Sequence, residues 1–153
     1  MCKNLPLSRY SSQMLLICMQ PAKFVAEASI ANKLPTWRYY FNATIPNLQP
    51  EGYPTLGAFH GEELSLIWEF YPTENATTQE KELSVFLQTA WANFAKDPFR
   101  AGPGWKQLNA TSGDGLACIG CNGGSAVNII SRNLVDARCS IYGPLFTATT
   151  PYF

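Results

Sequence analysis

His60 is the one histidine of the chain, and it stands in the segment Gly57-Ala58-Phe59-His60-Gly61-Glu62-Glu63-Leu64. An imidazole takes up and releases protons near neutral pH, which suits it to general acid–base work. The residues upstream read as a short aromatic strand and those downstream as a helix. The histidine therefore falls on a connecting loop, where α/β enzymes carry catalytic groups. A tight glycine follows it, and two acidic residues open the helix at the positive end of its dipole. The bland alternative is a surface or helix-capping histidine. A catalytic base also needs a nucleophile to activate, and no Gly-x-Ser-x-Gly occurs anywhere in the 153 residues.

Other constellations carry less. Cys118-Ile119-Gly120-Cys121 has the spacing of a metal or redox pair. A zinc site needs four ligands, however, and only Cys139 and the distant His60 could complete it. A redox pair should open a helix, whereas this one runs into Asn122-Gly123-Gly124-Ser125. No metal and no cofactor is expected. A structural disulfide is the better reading, with Cys118, Cys121 or Cys139 each able to bridge to Cys18; five cysteines leave at least one unpaired. The glycine-rich stretch lacks the Lys-Ser/Thr of a phosphate loop and the spacing of a dinucleotide fingerprint. Glu62 and Glu63 are adjacent on a helix, do not face each other, and cannot flank one glycosidic bond.

The elements that would position these residues can be read from periodicity. Pro21 suits the start of a helix in which Phe24, Val25, Ala28 and Ala31 recur at helical spacing and which Lys33-Leu34-Pro35 ends. Thr36–Phe41 is dense in aromatic and β-branched residues and predicts a buried strand. The proline-rich stretch 42–56 is loop. Glu62–Phe70 predicts a helix with Leu64, Ile67 and Trp68 on its apolar face. Thr77-Thr78-Gln79-Glu80 fits a capping box, and Leu83, Phe86, Leu87, Ala90, Trp91 and Phe94 form an apolar stripe after it, up to Asp97-Pro98. Beyond Gly102, Ala126–Ile130 and Arg138–Tyr142 predict short strands.

Composition narrows the function classes. Hydrophobic residues make up 46% of the chain and charged residues only 14%, well under the usual quarter. Such a chain is largely buried or leans on a partner surface. Eleven basic and eleven acidic residues cancel, so long-range charge attracts neither nucleic acid nor an anionic membrane. No apolar run is long enough to span a bilayer. The stretch Met14-Leu15-Leu16-Ile17-Cys18-Met19 is short and lacks a small-residue cleavage site after it, so it is a poor signal peptide. The sequons at Asn42, Asn75 and Asn109, with the cysteines, nonetheless lean towards a secreted ancestry.

Several segments, in matching order from about Cys18 to Tyr142, resemble type-B carboxylesterases, the group that includes cholinesterases and many fungal lipases. Gly57–Leu64 looks like the segment that carries their catalytic histidine. Trp37-Arg38-Tyr39-Tyr40-Phe41-Asn42 resembles their last parallel core strand, and Trp91-Ala92-Asn93-Phe94-Ala95-Lys96-Asp97-Pro98 resembles their Trp-x-x-Phe-Ala-(Lys/Arg) helix. Trp105 and Asp136-Ala137-Arg138-Cys139 look like the end of fungal members. The resemblance implies an α/β fold, the C-terminal portion of an α/β-hydrolase with an incomplete sheet and packed helices. It divides the chain into an irregular 1–17, a C-terminal part of a carboxylesterase domain over 18–146, and a tail, 147–153.

The resemblance also implies His60 as triad base, with Gly61 allowing the turn and Glu63 supporting at the start of the next helix. In such enzymes the serine and the acid precede the histidine. Upstream of His60 the only acids are Glu27 and Glu51, neither placed where the family's acid would be, and the oxyanion-hole loop is missing too. The expectation is a fragment inactive alone, a truncated, mis-predicted or degenerate gene product whose fold is marginal or aggregation-prone. Its substrate in the complete enzyme would be a small-molecule ester, in an extracellular setting. Two rivals stand beside it. One is a non-catalytic interaction module using the Leu83, Phe86 and Trp91 face; the other is half of a split esterase completed by a second chain.

Overall fold

The computed structural model describes residues 20–109, 114–124 and 127–137. Cys2, Cys18, Cys139 and the strand expected at 138–142 lie outside them. Helix α1 runs Gln20–Ala31, β1 Tyr39–Phe41, α2 Glu62–Ile67, α3 Thr78–Lys96, β2 Asp114–Ile119, β3 Val127–Ser131 and α4 Asn133–Asp136, with single 3-10 turns at Pro46–Leu48 and Cys121–Gly123. The three strands form one sheet in the order β1-β2-β3. β1 runs parallel to β2, with Tyr39 opposite Ala117 and Phe41 opposite Ile119. β3 is antiparallel to β2, with Ile119 opposite Val127. Mixed helices around a small mixed sheet make this a partial α/β arrangement.

The sheet is covered on both faces, as the alternation of β1 requires. Tyr40 turns to one side and packs with Leu116, Cys118, Cys121, Ile130 and Val135. Tyr39 and Phe41 turn to the other, against a core of Ala43, Ile45, Leu66, Ile67, Tyr71, Leu83, Leu87 and Ile119. β2 is the central strand, and Leu116 through Ile119 are fully enclosed. Leu83 and Leu87 are likewise fully buried; truncating such a leucine to alanine typically costs about 2–5 kcal/mol.

Helix α3 is set by its own sequence. The Thr77 hydroxyl accepts from the Glu80 N–H and the Glu80 carboxylate accepts from the Thr77 N–H, closing the capping box. The same helix is tied to α2 through one carbonyl: Ser84 Oγ donates to Leu66 O at 2.7 Å, and Gln88 Nε2 donates to Ser84 Oγ at 2.9 Å. Its stripe is inward at Leu83, Leu87 and Ala90, while Phe94 is 45% exposed.

Three sequence expectations need correction. The strand over 36–41 is shorter than expected, although Thr36 O and Arg38 O still accept from Leu108 N and Ala117 N. Helix α2 stops at Ile67 rather than Phe70, because Glu69 adopts a left-handed backbone with φ 57°. Its apolar face is therefore rotated: Leu66 and Ile67 are buried, while Leu64 and Trp68 are 52% and 64% exposed. The expected stripe of α1 also misplaces its buried side, which is Ala26 rather than Val25.

A candidate hydrolytic site around His60

His60 lies exposed on the turn that enters α2. Two backbone bonds shape the turn: Phe59 O accepts from Glu62 N at 3.2 Å, and Gly61 O accepts from Leu64 N at 3.1 Å. Gly61 has φ 83° and ψ 1°, the left-handed region. A Cβ there would meet only Leu64 Cδ1 at 3.7 Å. Glycine is required by the backbone conformation, not by lack of room.

Glu63 ties the turn to the sheet. Tyr39 Oη donates to Glu63 Oε1 at 3.1 Å, joining β1 to the first turn of α2. Burial, then the Glu63 charge and this hydrogen bond, hold the Tyr39 phenol well above its usual range, so it remains a donor. The Tyr39 ring stacks edge-on against Trp91 at 5.3 Å and Trp105 at 5.8 Å. Those rings, with Trp37 and Phe94, line a cavity of about 320 Å³.

Glu62 was not visible as a site residue in the sequence. It is 1% exposed, and its carboxylate gathers three donors. Oε1 accepts from Ile45 N at 3.3 Å and from Gln49 Nε2 at 3.1 Å, and Oε2 accepts from Phe59 N at 3.4 Å. Gln49 extends the network, accepting from Gly57 N at 2.9 Å through its Oε1. Burial pushes the Glu62 carboxyl up to about 7, and the Glu63 charge adds to this. The N–H groups of Ile45 and Phe59 and the Gln49 amide act in the opposite direction. A carboxylate two residues after a histidine gives no sequence signal of burial, because its three donors come from residues 45–59.

Arg38 and Asp136 pair through two hydrogen bonds of 2.8 Å, joining the residue before β1 to the last residue of α4. Trp105 Nε1 donates to Arg38 O at 3.3 Å. The resemblance had named both segments without bringing them together.

Cys118 and Cys121 are joined to each other in a disulfide, their Cα atoms 5.7 Å apart. This corrects the expected pairing with Cys18. The bridge is local, closing the step from β2 into the following turn, where Gly120 holds φ 75° against Ala43. Asn42 is half-buried, with Nδ2 3.8 Å from Cys121 Sγ. Asn75 and Asn109 are exposed. Glu27 pairs with Lys23 on α1, and Glu51 is exposed in the loop. Of the α3 residues in the expected interaction face, Leu83 is enclosed, and Phe86 and Trp91 are partly buried against the core. Among the described residues no group of three or more His, Cys, Asp or Glu side chains could hold a metal ion, and no helix is long and apolar enough to cross a membrane.

An exposed histidine on a glycine turn, with the neighbouring Glu63 bonded to Tyr39 of β1, is thus set in a partial, mixed α/β arrangement. The Carboxylesterase family model matches residues 7–120, and the chain belongs to that family. It is also similar to Secreted lipase 5 of Gibberella zeae, at 36% identity over 64 residues. That match covers 41% of this chain but 12% of the lipase, so the chain spans a small part of its relative's length.

Proposed function

We propose that residues 18–146 are the histidine-bearing C-terminal part of a carboxylesterase domain of α/β-hydrolase fold, and that His60 is its general base. In this role the imidazole takes the proton from a serine hydroxyl as it attacks the ester carbonyl, then returns it to the leaving alkoxide. The serine, the triad acid and the oxyanion donors come from outside these 153 residues, either elsewhere on a longer polypeptide or on a second chain. Without them no acyl-enzyme can form. Loss of a single oxyanion donor alone is worth about 3 kcal/mol of transition-state stabilisation.

The observation that carries the reading is the placement of His60: exposed, on the Gly61 turn, with Glu63 fastened to Tyr39 of β1. The flanking surface agrees with it. Leu56, Leu64, Trp68 and Phe70 are 44–82% exposed in the segments on either side of His60. Large apolar side chains beside a catalytic base mark a surface meant to be covered. The substrate class is a carboxylic ester, and a secreted relative favours an extracellular setting.

The test is reconstitution. The chain alone should leave a p-nitrophenyl ester intact. Joined to the nucleophile-bearing region of a fungal carboxylesterase, it should hydrolyse the ester, and His60→Ala should remove the activity about 10³-fold or more. Hydrolysis by the isolated chain, or reconstituted activity indifferent to His60→Ala, overturns the proposal.

A further inference from the structure

The role of Glu62 goes beyond that of a helix-opening acid. Its side chain is enclosed although it lies two residues from an exposed histidine. Burying a carboxylate is unfavourable unless its lone pairs are satisfied. Here they are satisfied by one specific segment, the loop between Ile45 and Phe59. Ile45 N and Gln49 Nε2 meet Oε1, and Phe59 N meets Oε2. Gln49 adds two further ties, donating to Ile45 O at 3.2 Å and accepting from Gly57 N. The far end of this web is the core residue Ile45, fully buried beneath α2 and α3. Its near end is the amide of Phe59, the residue before His60.

We propose that Glu62 is the positioning residue for His60: its carboxylate locks the 45–59 loop to the turn and so fixes where the imidazole stands. The inference rests on His60 being the catalytic base. The carboxylate does not touch substrate; it acts through the backbone on either side of the histidine. A displacement of about 1 Å at a catalytic base can lower the rate a hundredfold. Glutamine is nearly the same size but turns an amide NH₂ towards at least one of the three donors, so one bond becomes a donor–donor clash.

Two readouts separate this from the reading it rests on. Amide hydrogen exchange on the 153-residue chain needs no catalysis. Glu62→Gln should speed exchange at Ile45, Gly57 and Phe59 at least tenfold and leave Leu87 in α3 unchanged. In the reconstituted esterase the same variant should lower kcat at least tenfold with KM within twofold, while Glu74→Gln, an exposed acid elsewhere, changes neither. If the whole chain loosens, Gln49→Met removes one donor and the Gly57 tie from the opposite side, and must reproduce the kcat loss with the melting transition intact. Unchanged exchange at Ile45 and Phe59 overturns the inference whatever the activity does. So does normal kcat in Glu62→Gln or in a folded Gln49→Met when His60→Ala is inactive. Activity that survives His60→Ala fails the general-base reading itself, and leaves Glu62 no catalytic group to position.

Discussion

Removing Asp136 should destabilise the chain more than any surface change. Arg38 and Asp136 meet through two 2.8 Å hydrogen bonds, and their side chains are 9% and 11% exposed. Asp136→Ala leaves the guanidinium held between β1 and α4 with no counter-charge. Breaking one side of a buried pair costs about 3–5 kcal/mol. The slight exposure of both groups places this case near the lower end, about 3 kcal/mol. That multiplies the unfolded fraction roughly 150-fold. With a urea slope of about 2 kcal/mol per molar, the midpoint of denaturation should fall by about 1.5 M. Arg38→Met combined with Asp136→Leu should restore most of the loss, because apolar pairs of similar volume replace buried ion pairs at little net penalty. The assay is urea denaturation followed by tryptophan fluorescence, with Arg38→Met, Asp136→Leu and their combination completing a double-mutant cycle. A midpoint shift under about 0.3 M for Asp136→Ala would refute the reasoning, since that is the scale of an exposed pair.

Three further outcomes follow from the same geometry. The Glu62 carboxyl is raised from 4.5 to about 7 in the folded chain. Between those values the folded state holds a proton the unfolded state has released, so Glu62's contribution to stability should be fully present below 4.5 and be lost as pH rises through 7; Glu62→Gln should remove that component of the slope in urea midpoints taken across the window. Gly120→Ala would place a Cβ 2.5 Å from Ala43 Cβ at a φ of 75°, which should lower Tm by about 4–8 °C for a loss of about 2 kcal/mol. In a secretory host, Asn75→Gln and Asn109→Gln should each remove a glycan detectable by endoglycosidase shift. Asn42→Gln should not, because Asn42 is half-buried beside the Cys118–Cys121 bridge.

What could be read in advance was what is encoded locally. The capping box at Thr77 and Glu80 and the spacing of Leu83, Leu87 and Ala90 fix α3 from its own residues. The left-handed glycine after His60 and the acids after it mark the entry to α2. Features that depend on distant chain were hidden. β2 is a strand because it lies between β1 and β3, but its sequence, Asp114-Gly115-Leu116-Ala117-Cys118-Ile119, is short, carries a glycine and has no alternation. Helical phase points Trp68 inward, yet the helix ends one residue earlier and releases it to solvent. Glu62 reads as a solvated acid at a helix start. Its burial is created by donors 3 to 17 residues away, which periodicity does not register. The Cys118–Cys121 bridge has only two residues between its cysteines, and the left-handed Gly120 that turns the chain there is a backbone state that cysteine spacing does not register.

The central claim is that His60 serves a serine supplied from beyond this stretch of chain. The most direct measurement is a crystal structure of the chain joined to a nucleophile-bearing carboxylesterase region and trapped with a phosphonate ester. The account predicts an imidazole nitrogen of His60 within about 2.6–3.2 Å of the serine oxygen, with Glu62 still holding Ile45 and Phe59. A folded, phosphonylated assembly in which His60 points away from that serine, and another side chain fills its place, would contradict it.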